Sequence, residues 1–477
     1  MTGMNLSYLI ENVFIKLKEV IFMKKKLVGA LLVAAMAVST VAGCGGSSND
    51  APADNSSNGA TEKTDATETG ADASTAEEGD ETLTVWCWDP TFNVYAMKQA
   101  EAIYQKDHPN FKLDIQEKVY TDIEQSLITA AESGNYDTLP DIFLMQDYSF
   151  HKDATNYPDI FTDLTDSGID FSQFSAGKLA DSTVDGKNYG VPFDNGAVVG
   201  CYRTDLLEQA GLTVDDFTDI TWDQYIENGK KVLEATGKPL ISMQAGECDL
   251  IMMMLQSAGS SLFNEDGTAN IVNNDVLKEV AETYKEMKDS GVLIEVNSWD
   301  EYVGSITNGD VAGTINGCWI MASIQTAEDQ SGNWAITNMP RLVDAKDATN
   351  YSNNGGSSWA VTANCKNKDL AYDFLASTFA GSTELYDDII SKGALATWAP
   401  AGESDAYNVP VDFYGGDTVY AKIVDFATKT PSNTTGAFYY DARDAVGVAL
   451  SNITQTGADV DSELQGAQET LDFNMGM

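Results

Sequence analysis

Leu83-Thr84-Val85-Trp86-Cys87-Trp88 is a short apolar and β-branched run, and together with the segments C-terminal to it this run decides the fold. Residues 93–107 carry helical spacing, 111–119 alternate as a strand, and 120–132 return to helical spacing. A period that switches between two and 3.6 in this order predicts β-α-β-α. Asp141-Ile142-Phe143-Leu144-Met145 follows Pro140 as a buried strand, and Gly190-Val191-Pro192 leads into the apolar run 197–202. Further helical segments fall at 222–235, 274–290, 370–377, 440–450 and 459–472, with strand candidates at 311–315 and 359–362. Such alternation implies helices on both faces of a mainly parallel sheet.

Outward from this stretch toward the N-terminus the chain changes character. Residues 45–81 contain no Leu, Ile, Val, Met or aromatic residue, so nothing in them offsets the entropy of ordering. They read as an acidic tether of 37 residues, spanning roughly 35 Å root mean square as a flexible coil. Before it, Lys24-Lys25-Lys26 precedes the apolar run 27–41, which ends in Val41-Ala42-Gly43-Cys44. At 15 residues that run is shorter than the roughly 20 a membrane-spanning helix needs. It reads as a signal peptide over 1–43 with a bacterial lipobox, Cys44 resembling a lipid-modified lipoprotein N-terminus. Residues 1–22 precede a good start at Met23 and read either as an upstream extension of the start or as an unusually long n-region. The mature chain is therefore expected on the extracytoplasmic face of a cell membrane, held there by lipid on Cys44.

The body from Thr82 to Met477 is longer than the roughly 250–300 residues one hydrophobic core serves, which predicts two lobes. Removing 1–43, with its five lysines and two acidic residues, leaves 23 basic against 71 acidic residues, a net charge of −48. Nucleic acid is excluded as a partner, since phosphate binding needs clustered Lys and Arg. Cys87, Cys201, Cys248, Cys318 and Cys365 are odd in number, widely spaced and form no C-x-x-C pair, so neither a disulfide framework nor a zinc site is expected. With only His108 and His151 available, histidine catalysis has little to draw on. No cofactor and no metal is expected.

Further along, Gly309-Asp310-Val311-Ala312-Gly313-Thr314-Ile315-Asn316-Gly317-Cys318-Trp319 resembles the G-[DE]-x-A-M-x-I-x-G-x-W segment of extracellular sugar-binding proteins of the maltose-binding type, which feed ABC transporters. Other segments agree with that family in the same order: 82–89 with its first strand, Leu139-Pro140-Asp141-Ile142 with a strand signature of its first lobe, and Asp185-Gly186-Lys187-Asn188-Tyr189-Gly190-Val191-Pro192 with its G-K-x-Y-G-x-P turn. Gly355-Gly356, Lys368-Asp369-Leu370-Ala371 and Ala437-Phe438-Tyr439-Tyr440 continue the match. Arg203-Thr204 stands where the family has Asn-Lys, and Cys318 where Pro is common, which weakens assignment to a particular sugar.

The resemblance implies a two-lobed periplasmic-binding-protein-like fold (type II), each lobe an α/β unit with a mainly parallel sheet. Lobe 1 is expected from 82–195 plus about 335–395, and lobe 2 from 196–334 plus about 396–477, with crossings near 193–199 and 334–339. It also implies a monomeric receptor whose lobes close on ligand by hinge motion and which docks on the permease subunits of an ABC importer.

Ligands of open α/β sheets bind beyond the carboxyl ends of strands, and a sugar needs flat aromatic platforms beside carboxylates and amides. Trp88-Asp89 ends the first strand and offers both, the competing reading being a core indole with a helix-capping Asp. Gln146-Asp147 ends the next buried strand, where the family places a sugar-contacting carboxylate. Asp194-Asn195 falls at the expected crossing, where an Asp-Asn-Gly turn is the alternative. Glu247 follows Gly246 as either an acidic contact or a solvated loop charge. Trp319 matches the family's stacking Trp. Gly355 and Gly356 let backbone approach a ligand or open a strand. Trp398 and Tyr439 serve the cleft or the packing, and Trp222, Trp299, Trp334 and Trp359 read as structural.

Three functions compete on sequence. A carbohydrate receptor of an ABC importer leads. A surface glycosidase with two carboxylates roughly 5–9 Å apart lacks a motif. A receptor of the same fold with non-sugar cargo would use Tyr439-Tyr440 for ferric iron, or an acidic cleft for a polyamine.

Overall fold

The computed structural model describes residues 81–477 except Glu265, Ser432, Thr434 and Thr435. The expected leader, Cys44 and, apart from Glu81, the tether lie outside the described residues. The first strands are β1 (Thr82–Cys87), β2 (Lys112–Glu117), β3 (Ile142–Gln146), the short pair β4 (Thr183–Val184) and β5 (Lys187–Asn188), and β6 (Gly190–Arg203). After them come β7 (Ile241–Gln244), β8 (Leu293–Val296), β9 (Gly313–Gly317), β10 (Trp334–Thr337) and β11 (Asn353–Val361).

The 14-residue β6 belongs to both lobes. Its first part, residues 190–197, pairs antiparallel with β11, and the sheet continues through β3, β1 and β2. Its second part, residues 198–203, pairs antiparallel with β9 on one side and β10 on the other. β7 and β8 form a separate parallel pair. The two-lobed α/β fold is present, but its main sheet is mixed rather than mainly parallel: β1 pairs parallel with β2 and β3, whereas every partner of β6 runs antiparallel to it. A strand that leaves one lobe and a strand that returns beside it must point in opposite directions, and this geometry sets the difference.

Period-two alternation fills both faces of each sheet. Leu83, Val85 and Cys87 of β1, with Ile142, Leu144, Phe193 and Trp359, enter one core cluster. Trp86, Phe143, Met145 and Ala360 enter another on the opposite face. In the second lobe Val198 and Tyr202 point into a cluster with Trp222, Tyr225 and Met253, whereas Val199 and Cys201 point into one with Trp334, Ile336 and Met321. Strands covered on both faces read as continuous apolar runs, which is why 197–202 carries the signature of a buried strand. Burying each such large side chain contributes about 1.5–3 kcal/mol.

The second crossing lies later than expected. Trp334 to Thr337 register with Arg203 to Gly200, so β10 belongs to the second lobe, and Met339 and Leu342 pack with Trp222 and Tyr225. The chain returns only at Asn353, which faces Ala197. β6 has an open edge once β9 takes the other, and the apolar strand Trp334-Ala335-Ile336-Thr337 fills it. A third crossing comes after helix Thr383–Ile389: Ile389 and Ala394 pack in the first lobe, Ile390 and Leu395 in the second. The closing helices Tyr439–Thr456 and Val460–Asn474 pack on the second lobe through Ala442, Val446, Leu450 and Leu471. The turn Asp185-Gly186 between β4 and β5 has φ of 51° and 77°, the two left-handed positions that an Asp-Gly hairpin turn supplies.

Candidate ligand-binding site

The two lobes meet where β6, β9 and β11 converge, and Trp319 sits at that point. It stands just after β9, and its half-buried indole packs against the first-lobe cluster and a second-lobe cluster together. The indole N–H donates to the carbonyl of Asn354 at 2.9 Å. A Cβ at Gly317 would lie 2.3 Å from the indole nitrogen, and one at Gly196 only 1.9 Å from the Asn354 carbonyl. Glycine at these two positions therefore lets a ring and three backbone segments converge. Gly355, half-buried with φ of 88°, lies on the same side of the indole. Beneath it a polar chain joins the lobes: Asn354 donates to Asn316 at 2.7 Å, and Asn316 donates to the Tyr302 hydroxyl at 3.0 Å. Beside Trp319 the ring of Trp299 stands at 5.8 Å and 44°. Trp299 is 39% exposed.

Other candidates stand at strand ends of the first lobe. Half-buried Trp88 meets Tyr120 edge-on at 5.0 Å. Asp89 accepts from the backbone N–H groups of Thr91 and Phe92 at 2.8 and 3.1 Å, so one oxygen of its carboxylate caps the turn. The Gln146 side-chain carbonyl accepts from the Tyr440 hydroxyl, and Tyr148 packs on Tyr439 at 4.5 Å. Asn353 donates to the Tyr148 hydroxyl at 3.3 Å. Lys152 reaches Asp441 at 3.1 Å, tying helix Asp147–Asn156 of the first lobe to helix Tyr439–Thr456 of the second. Behind Lys152, Asp153 is 3% exposed, one of its oxygens has no partner, and burial followed by the nearby Glu124 pushes its carboxyl up to about 7.

Several residues expected at the ligand are buried. Asp147 is buried and paired with buried Lys178, and it accepts from Ser358 at 3.0 Å. Burial raises its carboxyl and Lys178 pulls it back. Asp194 is 2% exposed and accepts from Ser357 at 2.5 Å; burial pushes it up to about 6, against the pull of Lys178 and that hydrogen bond. Both acids lie under β11, because inward positions of β6 and of the helix after β3 face each other there. Gly356 serves them: its φ is 118°, and a Cβ would fall 2.3 Å from Asp147 and 2.8 Å from Lys178. Tyr439 is 2% exposed and belongs to the second-lobe core.

The remaining candidates are accessible. Half-buried Asn195 lines a recess of about 230 Å³ with Leu395, Ala396 and Tyr407. Exposed Glu247 pairs with Arg443 at 3.2 Å, and Arg443 also holds Asp249 at 2.5 Å. Half-buried Trp398 packs on the first-lobe core and bridges to Phe174. Trp299, Tyr148 and Asn353 also stand at the junction, and sequence reasoning did not single them out as site candidates. Tyr148 stands immediately after the strand end already singled out, and Asn353 just before the two glycines, so extending each strand end by two positions would have found both.

Comparison with known proteins agrees with the two-lobed α/β fold. The family of bacterial extracellular solute-binding proteins matches residues 99–406. This chain belongs to that family. Among relatives of this solute-binding protein, the lactose-binding protein of Rhizobium radiobacter is 39% identical over 388 residues, covering 81% of this chain and 91% of its own. The arabinooligosaccharide-binding protein of Bacillus subtilis (strain 168) is 26% identical over 322 residues, covering 66% and 72%. The ABC transporter associated binding protein from B. animalis subsp. lactis Bl-04, solved in complex with beta-1,6-galactobiose, shares the fold with a TM-score of 0.70 at 23% identity, over 83% of this chain and 98% of its own. The solute-binding fold thus accounts for nearly all of the described body.

Proposed function

We propose that this solute-binding protein is a non-catalytic receptor that captures a neutral mono- or oligosaccharide between its lobes and delivers it to an ABC importer. The observation that carries this reading is Trp319: a half-buried indole held by hydrogen bond at the junction of both lobes, packed on both of their cores with accessible surface left over. Such a ring offers a flat apolar platform for the C–H face of a sugar. Trp88, Gln146, Asn195, Glu247 and Gly355 supply the opposing contacts, with Asp89 contributing its second oxygen and Trp398 the rim. The sugar names of the relatives over most of their length support the choice of cargo. Ferric iron fits less well, because Tyr439 is in the core and Tyr440 bonds to Gln146 beside the cation of Arg443. A glycosidase pair drawn from Asp147 and Asp194 would need carboxylates that are open to substrate, and both are buried.

A lipid on Cys44 would hold the receptor at the extracytoplasmic face, where permease subunits receive the cargo. Cys44→Ser is expected to release the protein from membranes into the medium. Thermal-shift screening against a sugar panel tests the function: a ligand at 100 times its Kd stabilises the native state by about 2.7 kcal/mol. Absence of any shift with neutral mono- and oligosaccharides, or release of glycan product by the purified protein, would overturn the reading.

A further inference from the structure

We propose that the contact between helix Asp147–Asn156 of the first lobe and helix Tyr439–Thr456 of the second is a proton-linked latch: closure of the lobes on cargo takes up a proton at the Glu124 and Asp153 carboxyls, so that capture tightens as the medium turns acid. The proposal rests on the reading of the chain as a receptor that closes on a ligand, and adds a regulation of that closure. The two helices meet through three contacts. Lys152 Nζ reaches Asp441 at 3.1 Å, the Tyr440 hydroxyl donates to the Gln146 side chain, and Tyr148 packs on Tyr439 at 4.5 Å. A hinge motion at the crossing strands changes the separation of these helices, and with it the surroundings of every charge between them.

Those charges do not balance. The first lobe brings half-buried Glu124 from helix Tyr120–Ser133, and Asp153, which is 3% exposed and has one carboxylate oxygen without a hydrogen-bond partner. The second lobe adds Asp441 and Asp444. Lys152 acts on Glu124, Asp153 and Asp444, but its direct contact is with Asp441. Arg443 also acts on Asp444, while its guanidinium is held by Glu247 at 3.2 Å and Asp249 at 2.5 Å. Lys178 of helix Ala176–Ser182 is taken by Asp147, with Asp181 beside that pair. His151 and Asp159 are exposed, where water and salt screen them. A carboxylate buried without a counter-charge takes a proton instead. Burial followed by Glu124 pushes Asp153 up to about 7. Burial also raises Glu124; Ser149 and Lys152 pull it back, and Asp444 and Asp441 push it up from across the boundary. Parting the lobes removes those two second-lobe charges and hydrates Glu124, so the open form holds its proton less tightly. By linkage, a carboxyl raised more in the closed form than in the open one adds affinity in acid. That contribution is lost as pH rises through the closed-form value, about 7 for Asp153.

The test is titration calorimetry of wild type, D153N, E124Q and H151Q, with disaccharides of glucose, galactose and arabinose as probes, in acid and in mild alkali. A one-unit difference in a carboxyl between open and closed forms is a tenfold change in affinity, so wild type is expected to bind about three- to tenfold more weakly at about pH 8 than at about pH 5.5. Its binding heat near neutrality should also depend on the ionisation heat of the buffer, as proton uptake requires. D153N carries the neutral form at every pH and should bind at both values about as tightly as wild type does in acid. E124Q should flatten the profile too, whereas H151Q should leave it as in wild type. Equal wild-type affinity at both pH values with buffer-independent heat, or an unchanged profile in D153N and E124Q, would overturn the latch and leave the receptor reading intact. A wild-type protein that binds none of the probes would overturn both. Thermal unfolding without sugar checks that each variant folds, and E124Q, at a half-buried position, decides the matter where D153N does not fold.

Discussion

Two sets of strand-end residues look alike in the sequence and behave differently in the structure. The acids Asp147 and Asp194 are buried beneath β11, satisfied by Lys178, Ser357 and Ser358. The indoles Trp88, Trp299 and Trp319 keep accessible surface, Trp319 at the line where the lobes meet. The strand-end rule finds the neighbourhood of a site, but whether a side chain faces outward depends on what packs over it. The acids hold the crossing together, and the rings keep surface to spare.

That contrast breaks most sharply at Lys178. Lys178→Met leaves Asp147 buried without its cation and should cost about 3–5 kcal/mol of stability in denaturant titration, while sugar affinity of the folded fraction stays within about twofold. A large affinity loss at preserved stability would reverse the roles assigned to the two regions. Trp319→Ala should do the opposite, costing about 2–4 kcal/mol of binding in calorimetry with a much smaller change in unfolding.

Asp153 sharpens the comparison through pH. Its carboxyl is raised to about 7 from an ordinary 3.8, so the folded state favours the protonated form. The associated stability is fully present below about pH 4 and is lost as pH rises toward 7. Asp153→Asn should therefore gain stability over the wild type progressively between about pH 4 and 7, reaching about 4 kcal/mol at pH 8, as read from paired unfolding curves. A constant difference across that window would refute the buried, unpartnered state of the carboxyl. The smallest effect is expected at Lys152→Ala, which removes a partly exposed contact between the lobes. It should shift ligand affinity by about 0.2–1 kcal/mol, and the shift should shrink at high salt.

Much of the architecture is legible in the sequence. The alternation from Leu83 to Met145 sets the order of β1 to β3: β1 and β3 are apolar because both faces are covered, and the edge strand β2 alternates between exposed and half-buried positions. The Asp185-Gly186 turn and the strand ending at Gly317-Cys318-Trp319 can be placed for the same local reason: particular backbone angles and tight approaches admit few residues. The second crossing is not legible, because Trp334-Ala335-Ile336-Thr337 is an apolar strand that either lobe could have used. Only the open edge of β6 decides between them.

The sequence by itself determined that the body is a two-lobed α/β protein and that Trp319 stands after a strand, since periodicity and turn chemistry are local properties. Tertiary structure alone decided that Asp147 and Asp194 are interior and that Trp299 stands beside Trp319. Exposure and pairing depend on which distant segments arrive at the same place, and here Ser357, Ser358 and Gly356 reach the acids across more than 150 residues of chain.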